Sequence, residues 1–392
     1  MNIKRFKNPS GKLVDSKDVY NGECYHCFIP NSLPPTKLEN FDRSLVALLS
    51  EADTNFNRLV GMGEQLPNPY ILLHSYIKKE AVLSSKIEGT QASLTDLFLY
   101  ELEKNKSKDD RLGLKEISNY VIATERAMKH IRKKRKISLV LIKHIHKILL
   151  TGVRGEDKNP GTFRVTQNAI VPYKNCPLDE IRLIPPPPKY VNNLMLNLQS
   201  FIDNPPKDIP ILIQAAIIHY QFETIHPFND GNGRIGRLLI PLYLCEKGNI
   251  RHALIYLSAF FEKYDKEYRE RLLQVSQNSD WNRWFKYFLT AISEQSKASM
   301  QSVENLIRLK RSYDTTLRRT KASKNVERVM ESLFVNPYTT PNNIMTYLNV
   351  SYQTAVNVIN TLAKLEIIKK YDERKRNKVY IAPRILKIID NA

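Results

Sequence analysis

One twelve-residue stretch constrains this chain more than any other: His226-Pro227-Phe228-Asn229-Asp230-Gly231-Asn232-Gly233-Arg234-Ile235-Gly236-Arg237. Apolar runs precede it (Ile209 to Tyr220) and follow it (Leu238 to Leu244), so it reads as a loop between two buried helices. Asp-Gly-Asn-Gly is turn chemistry, because glycine accepts positive φ and Asn and Asp bond locally to backbone. A helix is expected to open near Asn232. Its first N–H groups, at Gly231, Asn232 and Gly233, have no partner within the helix, and the helix dipole adds positive potential there. Such a place binds anions, phosphate above all. Arg234 and Arg237 are three apart, so both leave the first turn on one face, where their guanidiniums suit further phosphates. Asp230 is a hard oxygen ligand placed to hold Mg²⁺ against those phosphates. His226 is positioned to take a proton from an attacking hydroxyl, and Phe228 is expected to anchor the loop.

The stretch also resembles, position by position, the signature of the Fic (filamentation induced by cAMP) family, H-x-F-x-[DE]-G-N-G-R-x-x-R; all eight fixed positions are met. A second stretch, Ser84-Ser85-Lys86-Ile87-Glu88-Gly89, ends a helical pattern running from about Tyr70, with Gly89 as its cap. Ser84 and Glu88 share a helix face. The stretch resembles the family's inhibitory motif, [ST]-x-x-x-E-[GN], in the class that carries it N-terminal to the core. Leu66 to Leu97 is similar to the N-terminal segment of long members, and Pro160-Gly161-Thr162-Phe163-Arg164 to the core. The resemblance implies that Glu88 pairs with Arg237 and keeps the γ-phosphate of ATP from seating productively.

With 392 residues, the chain is long enough for two or three domains. Its hydrophobic fraction, 42%, suits a soluble protein, and no run approaches a membrane span. The basic, polar start lacks an apolar signal region, so a cytoplasmic protein with no membrane contact is expected. Lys and Arg number 60 against 40 Asp and Glu, a net charge of +20 that favours an acidic partner such as nucleotide or nucleic acid. Cys24 and Cys27 lack the second pair of ligands a zinc knuckle needs; with Cys176 and Cys245 they read as reduced thiols.

Residues 1–40 show little periodicity and are expected to form an extended arm. Helical patterns follow from Phe41, with a break at Leu66-Pro67-Asn68-Pro69 and a charged loop over 103–113. Two more helices are expected at about Lys115 to Ile131 and Ser138 to Leu150, and the basic run from Lys129 to Lys136 reads as a solvated helix end. Ile181 to Ile184 is strand-like and is stopped by Pro185 to Pro188. By resemblance a β-hairpin flap belongs here, holding a target segment by strand addition. A helix from Tyr190 to Ile202 leads to the central stretch, and Pro241 is expected to kink or restart the helix after it. Trp281 to about Leu317 reads as one or two long helices, leading into a basic linker. The last seventy or so residues carry three helical patterns, a strand at Ile367 to Tyr371, a charged turn and a return strand at Lys378 to Ile381: a winged helix-turn-helix pattern. Its recognition helix would expose Ser351, Gln353, Thr354, Asn357 and Asn360. Lys369 to Lys378 holds six basic and two acidic residues, which suits a wing on phosphate.

The expected architecture is mainly α, a Fic-type helical core with a small β-hairpin flap and a C-terminal winged helix. The expected divisions are 1–110, carrying the inhibitory motif; 111–295, the catalytic core; 296–323, a basic helical linker; and 324–392, the winged unit. The resemblance implies a protein adenylyltransferase: AMP passes from ATP, with Mg²⁺, to a Ser, Thr or Tyr hydroxyl of a target protein. The residues by themselves point only to phosphoryl or nucleotidyl chemistry. Glu88 leaves de-AMPylation open at the same site. The C-terminal pattern leaves open a nucleotide-sensing DNA-binding regulator, although a sensor has no need of a base such as His226. A toxin with a separate antitoxin fits poorly with Glu88 in the same chain. DNA at the winged unit and a homodimer are further partners to consider.

Overall fold

The computed structural model describes residues 1–20, 23–35, 38, 41–64, 69–102, 112–134, 136–173, 176–248, 250, 255–371 and 378–390. Leu66 to Asn68, residues 103–111 of the expected charged loop and the wing turn 372–377 lie outside them.

The core is helical. Two long helices, α1 (Arg43–Glu64) and α2 (Pro69–Ile87), are followed by the short α3 (Leu94–Leu102). Then come α4 (Leu112–Lys134), α5 (Leu139–Leu150) and α6 (Pro188–Asp203). Ser138 caps α5 through its side chain, as its position before an apolar periodic run predicts. The centre is a hairpin of α7 (Ile211–Ile225) and α8 (Asn232–Lys247). Every α7 residue from Leu212 to Ile225 is buried, because helices cover it on all sides. α8 runs through Pro241 as one helix, where a kink or restart was expected.

Beyond α8, the chain forms α9 (Ser258–Lys263), α10 (Asp265–Asn278) and a single 39-residue helix, α11 (Trp281–Arg319). α11 packs along α1 and against α7. Its Trp284 is fully buried and donates its indole N–H to Ala216 O at 3.1 Å.

The N-terminal segment departs from the extended arm. β1 (Gly11–Tyr20) and β2 (Glu23–Pro30) pair as an antiparallel hairpin. Phe28 N–H bonds Ile184 O at 2.8 Å, and Tyr25, Cys27 and Phe28 share a second, smaller core with Cys176, Ile181, Leu183 and Ile184. The apolar surface that stabilises this hairpin lies about 150 residues away in sequence, so local periodicity gave no sign of it. The strand expected at Ile181 to Ile184 is reduced to one antiparallel bridge, Ile170 to Leu183. The described cysteines form no disulfide.

The C-terminal segment comprises α12 (Lys324–Ser332), β3 (Tyr338–Thr339), α13 (Pro341–Leu348), α14 (Tyr352–Lys364), β4 (Lys369–Lys370), β5 (Tyr380–Ile381) and α15 (Pro383–Asp390). The strands pair in the order β3-β5-β4. Thr340 and Ser351 cap α13 and α14 through their side chains. β3 and α15 were not expected; a two-residue strand is too short to show a period. Among the described residues no helix is long and apolar enough to cross a membrane.

Trp284→Ala should cost about 3–5 kcal/mol, since it leaves a large cavity at the α7–α11 contact. Urea unfolding of the full chain measures this, with a midpoint that falls while the slope stays constant.

Candidate active site

The central loop is a buried corner, and its shape follows from two left-handed residues. His226 closes α7 at φ 49° and ψ 60°, its N–H still reaching Phe222 O at 3.0 Å. Gly231, at φ 77°, precedes the first turn of α8, a conformation that costs glycine nothing. Between them, backbone groups lie too deep for bulk water and need protein partners. Arg164, 3% exposed, donates Nε to His226 O (2.9 Å) and its other nitrogens to Pro186 O (2.5 Å) and Thr166 O (3.2 Å). Asn168 donates to His226 O (3.2 Å) and Phe228 O (2.9 Å). The Asn232 side chain accepts from Phe228 N–H (2.8 Å) and donates to Phe228 O (2.7 Å).

His146 completes the corner. Its Nδ1 accepts from Gly161 N–H at 2.8 Å, so Nε2 carries the proton and donates to Asp230 O at 2.9 Å. Its ring stacks on fully buried Phe228, with centroids 3.7 Å apart. Phe228, the expected loop anchor, packs on His146 and lies 6.4 Å from the Phe222 ring.

His226 is half-buried, and its Nδ1 donates to Glu223 O at 3.1 Å. A carbonyl only accepts, so Nε2 keeps its lone pair. Burial lowers this imidazole to about 4, against the Glu223 carbonyl, which raises it. It is therefore a neutral base at pH 7.

Glu88 and Ser84 meet Arg237 at the end of α2. The helix stops in a Schellman arrangement: Gly89, at φ 91°, donates to Lys86 O (2.9 Å) and Thr90 to Ser85 O (3.0 Å). Arg237 donates to Glu88 Oε1 (2.7 Å), Ser84 Oγ (2.9 Å) and Ser84 O (2.8 Å). Burial alone would lower this guanidinium; the Glu88 carboxylate more than offsets that and holds it well above its ordinary value. Glu88 is in turn held below the usual carboxylate range: burial raises it and Arg237 outweighs the burial. A Cβ placed on Gly233 would stand 2.2 Å from Glu88 Oε1, so the carboxylate lies directly against the first turn of α8.

Arg234 and Arg237 leave the same helix for different surroundings. Arg237 lines a solvent-open cavity with Glu88, His226, Gly233, Tyr268 and Leu272. Arg234 does not line it. It is 1% exposed and none of its three guanidinium nitrogens makes a hydrogen bond. Its nearest carboxylates are Asp230 at 3.5 Å and Glu116 at 3.9 Å. Asp230 accepts from Gly231 N–H at 2.6 Å and stays one-third exposed. A Cβ on Gly155 would meet Asp230 Oδ2 at 2.8 Å, so that approach requires glycine. Among the described residues no cluster of three or more His, Cys, Asp or Glu forms a metal cage.

Sequence reasoning missed several residues that shape the site. Asn168, His146 and Glu223 carry no local pattern that marks them. Glu223 sits one turn before His226, with Oε1 unpartnered and pressed so close to Gly236 that a Cβ there would stand 2.1 Å away. Burial raises its carboxyl to about 7, against the pull of Arg237.

Comparison with known proteins agrees with this geometry. The Fic/DOC family N-terminal region matches residues 46–129 and the Fic/DOC family domain residues 136–244. A probable protein adenylyltransferase of Aquifex aeolicus (strain VF5) is 25% identical over 312 residues, covering 76% of this chain and 86% of that protein. The protein adenylyltransferase Fic of Aedes aegypti is 27% identical over 256 residues; the match covers 64% of this chain and 45% of the mosquito protein, less than half its length. A crystal structure of a Fic family protein from Desulfovibrio desulfuricans G20 aligns over 88% of this chain and 97% of its own, with a TM-score of 0.53 and 19% identity, a likeness in fold. Both family regions match in the expected order, and the second contains the buried corner around His226, so residues 46–129 and 136–244 are similar to the Fic/DOC family N-terminal region and the Fic/DOC family domain.

Proposed function

We propose that this chain is a protein adenylyltransferase restrained by its own Glu88. The observation that carries the reading is one cavity holding a neutral imidazole with a free Nε2, the start of α8, and a guanidinium already engaged by a carboxylate. His226 Nε2 takes the proton of a Ser, Thr or Tyr hydroxyl on a target protein. The hydroxyl oxygen bonds to the α-phosphorus of ATP, the bond to the bridging oxygen breaks, and pyrophosphate leaves. The Asn232 and Gly233 amides face the α-phosphate charge; Gly231 N–H is already spent on Asp230. Arg237 holds an outer phosphate once Glu88 yields it, and buried Arg234 adds positive charge beside the loop. Asp230, exposed and with one oxygen clear of Gly231, fits a nucleotide-borne Mg²⁺, which supplies counter-charge to the phosphates.

The inhibitory reading rests on Glu88 Oε1. It bonds the guanidinium the nucleotide needs and lies against Gly233, where phosphate would sit. Glu88→Gly should raise AMP transfer from α-labelled ATP at least tenfold, roughly 1.4 kcal/mol of barrier, and His226→Ala on that background should abolish it. Labelling from γ-labelled ATP alone would make the enzyme a kinase-like relative. Release of AMP from a pre-modified target by wild type, lost in Glu88→Gly, would establish de-AMPylation as a second activity.

The buried histidines set an acid limit on stability. Burial lowers His146, His219 and His226 from 6.5 to about 4, 3 and 4. The unfolded chain takes up these protons at pH 6.5, and the folded chain resists them until near pH 4. Stability should therefore fall from about pH 6.5 toward pH 4, less steeply than the three histidines alone would give, because Glu223, raised to about 7 in the fold, works in the opposite sense; thermal melts across that range measure this.

We also infer that residues 324–390 form a winged helix that contacts nucleic acid. Ser351, Gln353, Asn357 and Asn360 are exposed along α14, with Lys364, Lys369 and Lys370 nearby in sequence and also exposed; Thr354 is half-buried. Lys369→Glu with Lys370→Glu should weaken duplex DNA binding and shallow its salt dependence by about two phosphate contacts. Anisotropy titrations at several salt concentrations test this, and equal affinity of both proteins would favour a protein partner.

A further inference from the structure

α2 does two things along one rod. Its last turns present Ser84 and Glu88 to Arg237. Its earlier turns carry the C-terminal segment. Ser75 Oγ donates to Phe334 O at 2.8 Å, and buried Lys78 donates to Val335 O at 3.2 Å while paired with Glu101 at 2.7 Å. Lys79 donates to Ile389 O (3.2 Å) and Asp390 O (2.7 Å), placing a cation on the negative end of α15.

α3, which follows the inhibitory turn, is docked to the same body. Thr95 Oγ1 lies 3.2 Å from Tyr338 OH, and the Phe98 and Tyr338 ring centroids are 6.2 Å apart. Asn336 donates to Phe98 O (3.2 Å) and Glu101 (3.1 Å). The turn from Ser85 to Thr90 is thus bracketed by two helices that both rest on residues 334–390. A helix transmits a displacement along its axis with little loss. From Ser75 to Glu88 the distance is only about 20 Å. The Glu88 contacts, by comparison, are one ion pair and a van der Waals seat against Gly233.

We propose that the C-terminal segment is the second half of the brake: its dock on α2 and α3 fixes the inhibitory turn, and undocking it releases Glu88 from Arg237. This rests on the adenylyltransferase reading above. The dock supplies hydrogen bonds to α2 at Ser75, Lys78 and Lys79, before the inhibitory turn, and to α3 at Thr95 and Phe98, after it, so losing it loosens α2 and α3 together. The C-terminal segment is then a place from which a ligand can reach the active site without touching it.

The test uses the full chain with Lys79→Ala and Asn336→Ala combined, neither residue lining the active-site cavity. AMP transfer from α-labelled ATP should rise at least about fivefold, and hydrogen exchange of peptides covering residues 84–90 should quicken. In the Glu88→Gly background the same pair should add nothing further, because the brake is already gone. An equal rise with and without Glu88, or unchanged exchange at 84–90, overturns the proposal. If Glu88→Gly itself transfers no AMP, the transferase reading fails, and the exchange measurement alone judges the dock. Should the double variant lose its helical signal, Lys79→Met, which keeps the aliphatic stem, is held to the same two criteria.

Discussion

The structure depends on keeping the backbone of a strained, largely buried loop hydrogen-bonded. Between His226 and Gly231 the chain reverses inside the protein, where each unpaired backbone group costs about 1–3 kcal/mol. Arg164, Asn168, Asn232 and His146 pay that cost from three different parts of the chain. Their work explains why a loop made of turn residues behaves as part of the core. It also fixes the His226 ring, since the carbonyls on either side of it are pinned and its Nδ1 is committed to Glu223 O. The tautomer that leaves a base in the cavity is therefore a product of loop packing.

The same packing makes Arg237 a focal charge. It is nearly inaccessible, so it must always have a partner; stripping the partner from a buried charge costs about 3–5 kcal/mol. Ser84 and Glu88 supply that partner in this structure, and a phosphate is the chemically equivalent replacement. In the proposed function, carboxylate and phosphate compete for this one guanidinium at the end of α2. Gly233 permits the approach of the carboxylate, because a Cβ there would stand 2.2 Å from Glu88 Oε1.

The N-terminal hairpin and the C-terminal segment brace opposite features of the site. β2 bonds Ile184 and shares a core with the stretch around Ile181 and Leu183, beside the cavity. Residues 334–390 brace α2 and α3, beside Glu88. Both contacts join segments far apart in sequence. The corner around His226 is therefore enclosed by parts of the chain whose local patterns say nothing of it.

The sequence by itself determined the helical core, the corner and most of the groups in it. Twelve consecutive residues carry the corner's turn chemistry, and helical spacing puts Ser84 and Glu88 on one face with Gly89 to end the helix. Caps at Ser138, Thr340 and Ser351 were legible because a capping side chain acts within three residues of itself. Only the tertiary structure decided the rest. It paired the N-terminal strands, placed Arg234 outside the cavity that Arg237 enters, and recruited Asn168 and His146 to the loop. It also rested the C-terminal segment on α2. Each of these is a contact between distant segments, set by which surfaces can be buried together, and periodicity along the chain carries no record of that.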